Sequence, residues 1–139
     1  MMKKHILLIE DEEIHAFLIQ KAFAQGTKYD CVIHVAHDGE EAMSFLRNRK
    51  TPTPVLILMD LRLPKMDGFE LLSKLKKSSK FKMIPVIVLS SSDREEDMQK
   101  CYELGCGSYI VKPLRYRELR EIIHHILNYW IGINRLPTV

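Results

Sequence analysis

The sequence predicts an α/β fold: one doubly wound sheet of five parallel strands with helices on both faces. Two observations carry this. Short apolar runs alternate along the chain with segments whose apolar residues recur at helical spacing. Several of those runs are unbroken rather than alternating, as in strands buried on both faces of a parallel sheet. Right-handed crossovers then lay helices on both sides of the sheet.

The elements come in this order. HILLI (5–9) reads as the first strand, and Ile14, Phe17, Leu18 and Ala22 share one face of the helix after it. CVIHV (31–35) is the second strand. Asp38 with Glu41 reads as a capping box that starts the second helix, whose apolar face is Ala42, Phe45 and Leu46. TPTP (51–54) breaks the chain before the third strand, VLILM (55–59). Phe69, Leu72 and Leu75 line the third helix. IPVIVL (84–89) is the fourth strand, Ser92 with Glu95 reads as the cap of the fourth helix, and Gly105 stops it. SYIV (108–111) is the fifth strand. The last helix is the most regular: Leu119, Ile122, Ile123, Ile126, Leu127 and Trp130 recur at three- and four-residue steps.

Composition narrows the function. The chain has 139 residues, enough for one domain with a real core, and it shows no repeat or linker. No apolar run approaches the ~20 residues of a membrane span, and the N-terminus carries acid directly after its short apolar segment, unlike a signal peptide. A cytoplasmic protein is expected. Three cysteines, Cys31, Cys101 and Cys106, without C-x-x-C spacing read as reduced core thiols. A net charge of +3 does not argue for nucleic acid, and the basic run KLKKSSKFK reads as a solvated helix end.

The chemistry lies at the strand ends. Glu10 and Asp11 come directly after the first strand, Asp60 after the third, Ser90 after the fourth and Lys112 after the fifth. In a parallel sheet these ends share one edge, where sites form. Three converging carboxylates repel one another, and a hard divalent cation relieves that. Acids, a metal, a lysine and a hydroxyl around one further carboxylate suit phosphoryl transfer, with Asp60 as the nucleophile and an acyl phosphate as the product.

ILLIEDEE, LILMDLRLPKMDG, VIVLSSS and YIVKPL, in that order and spacing, resemble the receiver domain of two-component response regulators. The resemblance spans about His5 to Tyr129 and implies a flavodoxin-like (βα)5 fold. It implies that Asp60 is the phosphoacceptor, with Mg²⁺ (or Mn²⁺) held by Asp11, Asp60 and the main-chain carbonyl of Arg62, and by Glu10 through water. It implies that Ser90 and Tyr109 form the switch, that Lys112 binds the phosphoryl group, and that the Lys112–Pro113 bond is cis. Pro64 and Gly68 shape the loop after the acceptor. Glu10 stands where many members have Asp. Arg62 and Ser92 occupy variable positions that influence phosphoryl lifetime in the family.

Within the family, the tail YWIGINRLPTV looks like that of the small regulators served by phytochrome-type sensor histidine kinases. With residues 130–139 as a short tail on a core of about 5–129, no effector domain is expected, so output is a protein contact or a phosphorelay to another histidine. Tyr129 and Trp130 are the candidate face of a homodimer formed through the fourth and fifth helices and the tail. The protein is not expected to be an enzyme. A haloacid-dehalogenase-type phosphatase wants D-x-D, and Arg62 stands at the second acid. A flavodoxin-like electron carrier is disfavoured because E-D-E-E would repel a flavin phosphate. A degenerate receiver would lack the acceptor, acid pair or lysine. His34 and His37 point to opposite faces and read as no metal site, while His124 and His125 are adjacent on a helix.

Overall fold

The computed structural model describes residues 3–138. Five strands, β1 (Lys4–Ile9), β2 (Cys31–Ala36), β3 (Leu56–Met59), β4 (Val86–Ser90) and β5 (Ser108–Val111), form one parallel sheet in the order β2-β1-β3-β4-β5. The helices are α1 (Glu13–Ala24), α2 (Gly39–Arg47), α3 (Gly68–Lys77), α4 (Glu95–Leu104) and α5 (Tyr116–Ile126). Strand order reverses between β1 and β3, which are neighbours in register, Ile9 beside Met59. The residues that leave these strands, Glu10 and Asp60, therefore emerge side by side. Among the described residues no helix is long and apolar enough to cross a membrane.

The unbroken apolar runs behave as read in the three central strands. Every residue of β3 and β4 is buried. Successive side chains enter opposite cores. Leu7, Ile9, Ile57 and Met59 pack with α2, α3 and α4, and Ile6, Leu8, Leu56 and Leu58 pack with α1 and α5. Each such side chain stabilises the fold by about 1.5–3 kcal/mol. The edge strands β2 and β5 are only partly covered. β4 starts later than the apolar run because Pro85 has no N–H to give the ladder, though its carbonyl still accepts from Ile57 N at 3.0 Å.

Three local expectations are corrected. The buried face of α1 is Ala16, Ile19, Ala22 and Phe23, while Ile14 and Phe17 are 73% and 63% exposed. Apolar residues run most of the way round this helix, so periodicity alone could not choose the face. Ser92 does not cap α4. Arg94 holds that position without a side-chain bond, and the Ser92 hydroxyl donates to the Asp97 carboxylate in place of accepting from a first-turn N–H. The Lys112–Pro113 bond is trans, as no cis peptide occurs among the described residues. Lys112 N bonds the Ser90 carbonyl at 2.6 Å, which already aims the lysine without an isomer. The other stops and starts hold: Asp38 accepts from Glu41 N at 2.8 Å, and Gly105 ends α4 in left-handed conformation, φ 102°.

After α5 the chain continues as seven residues of π-helix, Leu127–Ile133, closed by Asn134 N on Tyr129 O at 2.6 Å. Trp130 turns back on its own molecule and joins the core against α1 and α5. Its ring lies 3.1 Å from where a β-carbon on Gly107 would sit. Tyr129 packs edge-on against it and stays half exposed. The tail then returns beside β1, where Leu136, Pro137 and Thr138 line a cleft with Lys4 and Val55.

Candidate functional site: a lysine between two buried carboxylates

The site is built by strand ends. Glu10 N bonds Ala36 O and Asp60 N bonds Ile9 O, both at 3.0 Å, so each acid leaves its strand still tied to the sheet. Both are buried, Glu10 at 1% and Asp60 at 9% exposure. The loop after Asp60 is held close. Gly68 N donates to Leu61 O at 2.8 Å, and a β-carbon on Gly68 would stand 2.6 Å from Leu61 Cα and 2.8 Å from Asp60 O. Only glycine permits that approach. Lys65 in the same loop takes a φ of 66°, next to a tight bond from Met66 N to Pro64 O at 2.7 Å.

Lys112 crosses the edge to meet both acids. Its Nζ lies 2.5 Å from Glu10 Oε1 and 3.2 Å from Asp60 Oδ2. Asp60 Oδ1 accepts from Leu61 N at 2.7 Å, and Arg62 N stands at 3.4 Å. Burial pushes the Glu10 carboxyl above its usual range. Lys112 opposes that shift, and the Asp60 charge adds to it. One ammonium thus serves two carboxylates, leaving the pocket negative. Asp11 is exposed at the rim and makes no hydrogen bond or ion pair among the described residues. No cluster of three or more His, Cys, Asp or Glu side chains is close enough to cage a metal among those residues. Two carboxylates, a carbonyl and water are nonetheless a common Mg²⁺ donor set, because this ion keeps much of its hydration.

The hydroxyls stand on the β4 side. Ser90 is buried at the end of β4, and its Oγ accepts from Ser92 N at 3.1 Å. The Tyr109 hydroxyl donates to Ser92 O at 2.8 Å while its ring packs on the core. Between the β3–α3 and β4–α4 loops lies a cleft of about 290 Å³, bordered by Arg62, Phe69, Ser90, Ser92 and Asp97. Sequence reasoning missed His15. Its Nδ1 is 3.1 Å from Lys112 Nζ and 2.9 Å from Glu12 Oε2. The i,i+3 spacing from Glu12 was the available signal. It also missed the exposure of Ile14 and Phe17 on α1 and of Leu114 after β5.

The fold and this pocket define a class: α/β domains whose site lies at the carboxyl edge of a parallel sheet, where a lysine meets strand-end carboxylates. Within that class the chain belongs to the response regulator receiver domains, a family that matches residues 6–124. It is 39% identical over 135 residues to the probable methanogenesis regulatory protein FilR2 of Methanothrix harundinacea, covering 95% of this chain and 86% of that one. It is 36% identical over 139 residues to response regulator Rcp1 of Synechocystis, covering 97% and 94%. The Mn²⁺-bound crystal structure of Rcp1 superposes with a TM-score of 0.90 at 35% identity, covering 97% of this chain and 99% of that one. The phosphorylated cyanobacterial phytochrome response regulator RcpA superposes at 0.93 with 37% identity, covering 99% and 100%. A receiver domain is a phosphoryl-accepting switch, and the phosphorelay-intermediate and phosphatase readings are not favoured.

Proposed function

We propose that Asp60 accepts a phosphoryl group from the phosphohistidine of a sensor kinase. The observation that carries this is the Lys112 ammonium shared between Glu10 and Asp60. In the transfer, the donor P–N bond breaks, its electron pair stays on the imidazole nitrogen, and a P–O bond forms to an Asp60 carboxylate oxygen. Backbone N–H groups of Leu61 and Arg62 hold the carboxylate in place. Lys112 faces the charge that develops on the phosphoryl oxygens. Ser90 keeps its hydroxyl proton free to donate to one of them, since the bond from Ser92 N uses only a lone pair. Asp11, Asp60, the Arg62 carbonyl and, through water, Glu10 would hold Mg²⁺ or Mn²⁺ by hard oxygen donors, and the ion would supply positive charge to offset that of the phosphoryl group. The Mn²⁺ in Rcp1 supports that assignment.

Ser90 and Tyr109 form the switch in this reading. A dianion on Asp60 draws the Ser90 hydroxyl, and Ser90 and Tyr109 are joined through the Ser92 peptide. The donor approaches over the exposed Ile14 and Phe17 of α1 and over Leu114, which lines the cleft that contains Lys112. The kinase is of the phytochrome type, as the likeness to the phytochrome response regulator RcpA supports, and the setting is cytoplasmic. Output is a protein contact. A second copy of the chain packs on the groove of about 360 Å³ between β5 and α5, lined by Ile110, Ile122, Ile126, Tyr129 and Trp130. The test is a transfer profile. A phytochrome-type kinase carrying labelled phosphohistidine should pass its label to this protein faster than unrelated kinases do. Equal rates from all donors would reject the kinase assignment.

A further inference from the structure

Ser92 makes four hydrogen bonds beside the pocket, and they lead to an acid with no assigned role. Its N–H donates to Ser90 Oγ at 3.1 Å and its carbonyl accepts from the Tyr109 hydroxyl at 2.8 Å. Its own hydroxyl accepts from Arg94 N at 3.2 Å and donates to Asp97 Oδ2 at 2.6 Å. Ser92 is buried, at 8% exposure. The Asp97 contact has the length of a hydrogen bond to a charged acceptor, roughly twice as strong as a neutral one. It commits the hydroxyl proton of Ser92 to α4, so this side chain cannot also serve Asp60.

We propose that Asp97 is a positioning residue for phosphoryl transfer: by holding the Ser92 hydroxyl, it fixes the peptide that orients Ser90 and anchors Tyr109. The inference rests on Asp60 as the acceptor. The chain of bonds runs from Asp97 Oδ2 to Ser92 Oγ–H, and from Ser92 N–H to Ser90 Oγ. The free proton of Ser90 then faces the phosphoryl group. Because Asp97 lies in the first turn of α4, the same bond ties the start of that helix to the pocket. The simpler role for an acid there is to complement the helix dipole. The two roles separate cleanly, since asparagine keeps the acceptor oxygen and loses the charge.

The test compares the parent with Asp97→Asn, Asp97→Ala, Ser92→Ala and the Ser92→Ala/Asp97→Ala double variant. Each receives phosphoramidate and Mg²⁺, and phosphate gain is followed by intact mass, with circular dichroism as the check on folding. Asp97→Asn should label within about twofold of the parent. Asp97→Ala and Ser92→Ala should each label about five- to tenfold more slowly, the scale of the net contribution of one hydrogen bond. The double variant should be no slower than Ser92→Ala, because both changes break one bond. The proposal is overturned if Asp97→Ala labels like the parent, if Asp97→Asn is as slow as Asp97→Ala, or if the two alanine effects multiply. Peptide mapping of the parent separates the underlying reading. Phosphate found elsewhere than Asp60 overturns the acceptor assignment itself, and this inference with it.

Discussion

Lys112 and Glu10 stand 102 positions apart in the chain, yet the lysine Nζ lies 2.5 Å from Glu10 Oε1 with both side chains almost fully buried. Burying an ammonium is costly, and the cost is offset only because two carboxylates face it. Removing the cation leaves Glu10 and Asp60 buried and facing each other. Lys112→Met should lower stability by about 3 kcal/mol. Urea unfolding reads this as a lower midpoint at an unchanged slope. An unchanged midpoint would mean that the ammonium contributes nothing to the fold.

Gly68 gives a second prediction. A methyl there meets the backbone of Asp60 and Leu61 rather than a yielding side chain. Gly68→Ala should cost about 1–3 kcal/mol of stability. It should also slow labelling of Asp60 by more than that loss explains at temperatures where the variant is folded, because the loop that positions the acceptor must shift. Labelling at the parental rate in a folded Gly68→Ala protein would show that the close approach does not position Asp60.

Acid should weaken the fold through His34. Its Nε2 lies 3.0 Å from His5 Nδ1, the rings stack, and burial followed by the neighbouring His5 holds its pKa below the ordinary value. The unfolded chain therefore takes up this proton at a higher pH than the folded one. Stability is complete above the ordinary histidine value of about 6.5 and is lost as the pH falls through it. His34→Gln should flatten the slope of stability between pH 7 and 5. An identical slope in the variant would assign the acid sensitivity elsewhere.

The tail has its own test. Truncation after Asn128 removes Trp130 from Gly107 and strips one wall of the groove between β5 and α5. Sedimentation at ~100 µM, where even a modest self-affinity shows, should give a dimer for the full chain and a monomer for the truncated one. A full chain that stays monomeric with and without phosphate would reject the second copy as the partner of this groove.

These predictions rest unevenly on what the sequence made legible. Strand ends were legible because a buried apolar run that stops on a charge is costly unless that charge is used, so Glu10, Asp60 and Lys112 could be brought to one edge from topology alone. The face of α1 was not, because Ile14, Phe17, Ala16 and Ile19 are all apolar and only packing selects among them. The Ser92 network was hidden as well. Its local spacing resembles a helix cap, and the bond to Tyr109 joins residues that only the sheet brings together. Trp130 looked like a free contact residue because its seat, Gly107, has no side chain to announce it.

The most direct measurement is the mass of the protein after incubation with a small phosphodonor and Mg²⁺. The parent should gain one phosphoryl group on Asp60 and lose the gain when the metal is chelated, since the charge that offsets the phosphoryl oxygens is then gone. Asp60→Asn should show no gain under the same conditions. Equal labelling of Asp60→Asn and the parent would contradict the assignment of Asp60 as the acceptor.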